Sequence, residues 1–293
     1  MTEFALPDTS VSPPKKRNED QMKIRDIINA RPVTISCELF PPKKDSDFAG
    51  VQQAARKIAG LRPDFISITY GASGGTSKNT VEIASMVQKE CGITSIAHLT
   101  CYSSTPEEVD RVIDKIKENG IENILALRGD PPRDTSVPIP GHYNHAYELI
   151  RQIRQKGDFC IGGACYPEGH VECANRDLDL DYLKMKVDEG CDFLTTQMFF
   201  DNNILYRFLY RALAKGIDVP ILAGIMPVIN KKQIERMVTL CGVHLPKKFT
   251  AMMERYENNP EAMRDAGIAY AIDQIVDLNA QGVDGIHLYT MNN

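Results

Sequence analysis

The run SIAHLTCYSSTPEEVDRVIDKIKENGIENILALRGD, Ser95 to Asp130, reads as strand, helix, strand. Ser95 to Leu99 and Asn123 to Leu127 are short apolar stretches, and Pro106 to Asn119 between them carries apolar residues at helical period. Thr105-Pro106-Glu107-Glu108 marks the helix start. The threonine hydroxyl can accept from a free backbone N–H, the proline needs no hydrogen bond at the first position, and Glu108 can reach back. Two strands joined by one amphipathic helix make a βαβ unit with parallel strands.

Working outward, the same alternation repeats along the chain. Strands are expected at Val33 to Leu39, Phe65 to Tyr70, Ser95 to Leu99, Asn123 to Leu127, Cys160 to Ala164, Phe193 to Thr196, Pro220 to Gly224 and Gly285 to Tyr289. Helical patterns lie between them at Phe48 to Leu61, Thr80 to Glu90, Pro106 to Asn119, Tyr147 to Lys156, Leu178 to Glu189, Ile204 to Lys215 and Lys231 to Leu240. Two more, Lys247 to Glu257 and Glu261 to Gln281, lengthen the last connection. That count predicts an α/β chain folded as a (β/α)8 TIM barrel, rather than an open doubly wound sheet. The last outer helix is expected to be missing, because the chain stops at Met291-Asn292-Asn293. Either a terminal segment or another subunit would then cover that side, with the helical stretch Gln21 to Ala30 as a candidate, or the barrel would be ragged there. Residues 1–30 are therefore read as an N-terminal extension with a short helix, and 31–293 as one barrel domain.

Composition narrows the function classes. Of 293 residues, 43% are hydrophobic and 25% charged, ordinary values for a globular chain. A net charge of −5 gives no electrostatic reason to seek nucleic acid or an anionic membrane. No run approaches the roughly 18 apolar residues needed to span a bilayer, and Met1 to Asp20 lacks the apolar core of a signal peptide. A cytoplasmic location is expected. The eight cysteines show no C-x-x-C spacing and no H-x-H or H-E-x-x-H motif is present, so no metal site is expected.

In such a barrel, chemistry gathers at the carboxyl ends of the strands. Glu38, in an apolar strand, can point into the mouth, where desolvation suits a carboxyl group to act as a general acid; a structural ion pair is the competing reading. Arg128-Gly129-Asp130 places a guanidinium, a bare backbone and a carboxylate after the fourth strand, suited to a polar heterocycle or a phosphate. Gly71-Ala72-Ser73-Gly74-Gly75-Thr76 is glycine-rich but is neither a dinucleotide fingerprint nor a phosphate loop. His98 and His170 are read as hydrogen-bonding histidines in preference to metal ligands. Asp179, Lys184, Lys186 and Asp188 form either a solvated helix face or a face that lends a lysine to a diphosphate.

Seven motifs stand in series: Ser36-Cys37-Glu38-Leu39-Phe40-Pro41-Pro42, Ile68-Thr69-Tyr70-Gly71, Ala97-His98-Leu99-Thr100-Cys101, Leu125-Ala126-Leu127-Arg128-Gly129-Asp130, Tyr166-Pro167-Glu168-Gly169-His170, Thr196-Gln197-Met198-Phe199-Phe200-Asp201 and Gly224-Ile225-Met226-Pro227. In order and spacing they resemble the flavin-dependent methylenetetrahydrofolate reductases, from about Arg31 to Asn292. The resemblance implies non-covalent FAD and a ping-pong reaction of one-carbon metabolism or methionine biosynthesis. NADH or NADPH would reduce the flavin, which would then reduce 5,10-methylenetetrahydrofolate to 5-methyltetrahydrofolate. Glu38 falls at the general acid position and Asp130 beside flavin and pterin. Tyr70, Ala72, His98, Arg128, Gly129, Asp130, Ala146, Tyr166, His170, Asp179 and Lys186 fall at FAD contacts. Thr69 and Gln197, with Glu38 and Asp130, fall at substrate contacts.

The chain also departs from that pattern. Asn230-Lys231-Lys232 stands where the family often carries an aromatic, and Tyr289-Thr290-Met291-Asn292 is followed by Asn293 where an arginine is common. Tyr182 and Met185 replace residues that are usually smaller or more polar. Two partner readings accompany the enzyme: a homo-oligomer, or a flavin-holding subunit fed by an iron-sulfur protein. A third reading is a different barrel enzyme that binds no folate.

Overall fold

Alternation along the strands sorts their side chains into two layers. In the computed structural model, which describes residues 22–42, 47–70, 77–131 and 139–292, eight parallel strands close into a barrel with β8 paired to β1. The order is α1 (Ile24–Asn29), β1 (Thr34–Leu39), α2 (Phe48–Gly60), β2 (Phe65–Ile68), α3 (Ser77–Cys91), β3 (Thr94–Thr100), α4 (Pro106–Glu118) and β4 (Asn123–Leu127). It continues with α5 (Ala146–Lys156), β5 (Cys160–Cys165), α6 (Arg176–Asp188), β6 (Phe193–Thr196), α7 (Asn202–Ala214) and β7 (Ile221–Ile225). The long last connection, α8 (Lys231–Cys241), α9 (Lys247–Tyr256) and α10 (Pro260–Ala280), leads to β8 (Gly285–Tyr289). This is the expected TIM barrel. Thr105 and Glu108 form the reciprocal cap at the start of α4.

Outward residues such as Leu39, Ile66, Leu99, Ala126, Leu194 and Ala223 pack on the helices in the largest apolar cluster. Inward residues Phe65, Ile96, Leu125, Cys160, Phe193 and Leu222 form a second cluster near the strands' amino ends. Into that cluster α1 inserts Ile24, Ile27 and Ile28, spaced to share one face and all buried. The Ile24 N–H donates to Asn123 Oδ1 at 2.9 Å, and Arg25 pairs with Asp158 and Asp192 at 3.3 Å each. The expectation that this helix covers the open flank is therefore corrected. An apolar interior needs an apolar stopper, so α1 closes the floor of the barrel.

The flank between β8 and β1 carries no helix among the described residues. Ile35 of β1 is 38% exposed, and Ile268, Ile272 and Val276 form an exposed apolar stripe on α10. Thr290 and Asn292 fold back over β1 instead. Thr290 Oγ1 donates to the Glu38 carbonyl at 2.6 Å, and Asn292 exchanges two side-chain bonds with the Phe40 backbone at 2.8 and 2.9 Å. The long last connection builds a third apolar cluster from Met198, Phe200, Met226, Ile234, Phe249 and Met263 beside the mouth.

Candidate active site

β1 delivers Glu38 to the inner face, where it is buried. Its Oε2 lies 3.8 Å from His98 Nε2 of β3 and 3.7 Å from His287 Nε2 of β8. Each imidazole has a hydroxyl partner: Ser67 reaches His98 Nε2, and Ser36 reaches His287 Nδ1 at 2.8 Å. Burial pushes His98 down to about 4, against a smaller upward pull from Glu38, so it is uncharged at neutral pH. Among the described residues no lysine or arginine pairs with Glu38, and the two imidazoles are the basic side chains at ion-pairing distance from it. His287, Ser36 and Ser67 were not singled out from sequence, because a serine or histidine inside a strand has no local signature; the period-2 alternation that places Glu38 inward also places them.

Beyond Glu38, Tyr289 donates to the Thr196 carbonyl at 2.6 Å, and Thr196 accepts from the Gly224 N–H at 2.8 Å. Burial, with Glu38 adding to it, holds the Tyr289 hydroxyl well above its ordinary range.

A second group gathers at the ends of β4 and β5. The Arg128 guanidinium donates to Glu172 at 2.6 Å and to the Gly129 carbonyl at 3.1 Å, and lies 5.3 Å over the Tyr102 ring. Gly129 has φ +85°, and a Cβ there would come within 3.0 Å of Thr100, so this bend requires glycine. Asp130 is exposed beside it and acts on the Tyr166 hydroxyl, which burial holds high. Tyr166 meets His170 edge-on at 4.6 Å. Asp179 Oδ2 accepts from the His170 N–H at 3.3 Å, and His170 Nδ1 accepts from the Glu172 N–H at 3.1 Å.

The two lysines of α6 separate. Lys184 pairs with Asp188 on the outside, whereas Lys186 donates to the Ala164 carbonyl at 2.7 Å, and burial lowers its pKa. Ala146 is buried at the start of α5, one residue earlier than the sequence pattern placed that helix. Thr69 and Tyr70 follow β2, and Gln197 follows β6, all half-buried at the rim. Gln197 Oε1 accepts from the Met198 N–H at 2.9 Å. Lys231 is tied to Glu257. Ala72 and the glycine-rich loop lie outside the described residues. Among the described residues, no group of three or more His, Cys, Asp or Glu is placed to hold a metal ion, and no helix is long and apolar enough to cross a membrane.

Against this geometry, the family model described as methylenetetrahydrofolate reductase matches residues 23–293. A protein named methylenetetrahydrofolate reductase (NADH) 1 from Arabidopsis thaliana is 37% identical over 283 residues, 92% of this chain and 48% of its own length. The 5,10-methylenetetrahydrofolate reductase of Pectobacterium carotovorum is 35% identical over 260 residues, 89% of this chain and 86% of its own. The chain thus spans about half the length of the plant relatives and most of the bacterial one. Among solved structures, a Clostridium thermocellum protein described as binding two copies of 5-methyl-5,6,7,8-tetrahydrofolic acid superposes with a TM-score of 0.63, 19% identity and coverage of 92% and 93%. That likeness shows a shared fold.

Proposed function

The chain belongs to the methylenetetrahydrofolate reductase family, and from that premise we propose that it reduces 5,10-methylenetetrahydrofolate to 5-methyltetrahydrofolate, with FAD as resident cofactor and NADH or NADPH as donor. The observation that carries the reading is the buried Glu38, aimed into the mouth between two histidines and paired with no lysine or arginine among the described residues.

The residues present fit FAD. Lys186 spends one bond on Ala164 and retains donors for a diphosphate, Arg128 adds a guanidinium, and Gly129 offers bare backbone. Bound FAD would supply a two-electron carrier that accepts hydride from the nicotinamide and delivers it to folate.

Glu38 donates its proton to N10 of the folate, which opens the methylene bridge to an electrophilic N5 iminium ready for hydride. The Thr290 and Asn292 latch fixes the backbone on which that carboxyl sits. Asp130 places a negative charge where the cationic iminium develops and where electron-rich flavin is disfavoured. Gln197 at the end of β6, with Thr69 across the mouth at the end of β2, is assigned to nicotinamide and pterin in turn. Asp179 orders His170, and Tyr70, Tyr166 and Ala146 complete the proposed cofactor wall. A cytoplasmic location belongs to the same reading, since the eight cysteines are unpaired and suit a reducing compartment.

The test is anaerobic: the FAD-loaded chain is mixed with 5-methyltetrahydrofolate, and flavin absorbance is followed without nicotinamide. Bleaching is expected, through the folate half-reaction run in reverse. Bound FAD that stays oxidised would count against the reading.

The exposed Ile35 and the apolar stripe Ile268, Ile272 and Val276 favour a second reading, in which another subunit docks there, either a copy of this chain or an iron-sulfur protein that delivers electrons. Rapid flavin reduction by NADH in the isolated chain would remove the iron-sulfur version; stoichiometric co-purification with such a protein would support it.

A further inference from the structure

Two histidines face Glu38, and they differ in what their ring nitrogens have left to give. His98 uses one atom twice: its Nε2 meets the Ser67 hydroxyl and lies 3.8 Å from Glu38 Oε2. His287 divides the task. Its Nδ1 meets the Ser36 hydroxyl at 2.8 Å, and its Nε2 faces Glu38 Oε2 at 3.7 Å.

The Ser36 hydroxyl decides the state of that second nitrogen. Its proton has two acceptors in reach, His287 Nδ1 at 2.8 Å and the Ile286 carbonyl at 3.5 Å. The nearer one takes it, so Nδ1 accepts in the uncharged ring, whose own proton then sits on Nε2 and points at the carboxyl. Tyr289, two residues along the same inner face of β8, meets the imidazole edge-on at 5.1 Å and is itself tied to the Thr196 carbonyl, so the ring cannot swing away. Strand register builds the group, since Ser36 stands beside His287 and Glu38 beside Tyr289 across the β1–β8 pair. The other titratable side chains facing Glu38 among the described residues are His98 and Tyr289, and burial keeps both uncharged at neutral pH.

We propose that His287 is the positioning residue of Glu38: Ser36 fixes its tautomer, and its Nε2–H holds the carboxyl in place and steadies the carboxylate that remains once the proton has passed to N10 of the folate. The imidazole proton itself stays on Nε2. The inference rests on the reading of Glu38 as general acid. At 3.7 Å the N–H faces the oxygen without a closed hydrogen bond, and charge developing on Oε2 draws the two together, as such bonds tighten when the reaction begins.

The test follows both half-reactions by stopped flow, with FAD bound, in the native chain, His287→Leu, His287→Gln and Ser36→Ala. In His287→Leu the folate half-reaction should slow about 10- to 100-fold relative to flavin reduction by NADH, the worth of one hydrogen bond to a charged group. Its fall at alkaline pH should move to higher pH, because a carboxyl that lacks the donor keeps its proton longer. His287→Gln, which retains an N–H near the place of Nε2, should recover most of the rate, and Ser36→Ala should show the same shift more weakly. Placed on Glu38→Gln, His287→Leu should add no further loss. Both half-reactions falling together, an unmoved pH profile, or full additivity with Glu38→Gln would overturn the inference alone. Unchanged folate turnover in Glu38→Gln itself would overturn the general acid reading and this inference with it.

Discussion

Glu38 Oε2 lies 3.7 Å from His287 Nε2, and His287 is held in turn by the Ser36 hydroxyl. The carboxyl thus has two imidazoles within 4 Å and no lysine or arginine paired with it among the described residues. A group in that setting can carry a proton to a substrate and regain it from water. Glu38→Gln should keep FAD bound and its reduction by NADH intact, while slowing the folate half-reaction by about 10² to 10⁴, the usual worth of a general acid. Stopped-flow measurement of the two half-reactions separates these outcomes, and unchanged folate turnover removes Glu38 from the role.

Asp130 is exposed at the mouth, next to Tyr166. Asp130→Asn deletes a negative charge beside the proposed flavin, so the bound flavin should become easier to reduce while folate reduction slows. Spectroelectrochemical titration reads the first effect. A potential that falls in the variant contradicts the electrostatic account.

Lys186 and Lys184 sit two residues apart on one helix but face different surroundings. Lys186→Met should weaken FAD about ten-fold or more, the worth of a charge-assisted bond to phosphate. Lys184→Met should leave FAD affinity unchanged, since its partner is the solvent-facing Asp188. Parallel flavin titrations decide the matter, and equal losses would contradict the assignment.

His98 is held at about 4 inside the barrel, against 6.5 for the free side chain. Between those values the unfolded chain binds a proton that the folded one excludes. The stability owed to neutral His98 is therefore complete above pH 6.5 and is lost as pH falls toward 4, with a slope on the order of 1.4 kcal/mol per pH unit. Urea unfolding at several pH values should show a shallower slope in His98→Gln than in the native chain. Parallel slopes would mean that His98 does not contribute.

Ile27 is buried at the barrel floor, and Asn123 accepts the buried Ile24 N–H at 2.9 Å. Ile27→Ala should cost about 2–5 kcal/mol through the cavity it leaves. Asn123→Ala should cost about 1–3 kcal/mol through an unsatisfied donor. Denaturant midpoints measure both, and values near zero would show that α1 is not part of the cooperative fold.

The strand positions were legible in the sequence because each buried strand is a short apolar run bounded by turn residues. Asn123–Leu127, Phe193–Thr196 and Gly285–Tyr289 coincide with the expected bounds. The other strands shift at their ends, as at β2, where Thr69 and Tyr70 leave the ladder and turn to the rim. The destination of α1 was not legible. Its three isoleucines announce a buried face but not which apolar surface receives it, since the floor cluster is assembled from strands far apart in the chain. The motif series led to Arg128, His170, Asp179 and Lys186, and the structure brings them into one group. The histidine and serine frame around Glu38 is a product of barrel closure, which sets β8 beside β1 and leaves no trace in local spacing.

The stopper made by α1 fills the amino end of the barrel and leaves the mouth as the way in among the described residues. With the floor filled by isoleucine, a reductant and a folate that both needed the inner end of the mouth, as proposed, would have to take turns there, each vacating before the other enters. Alternation of the two proposed half-reactions would then be a traffic rule imposed by the architecture, and an excess of either visitor would obstruct the other.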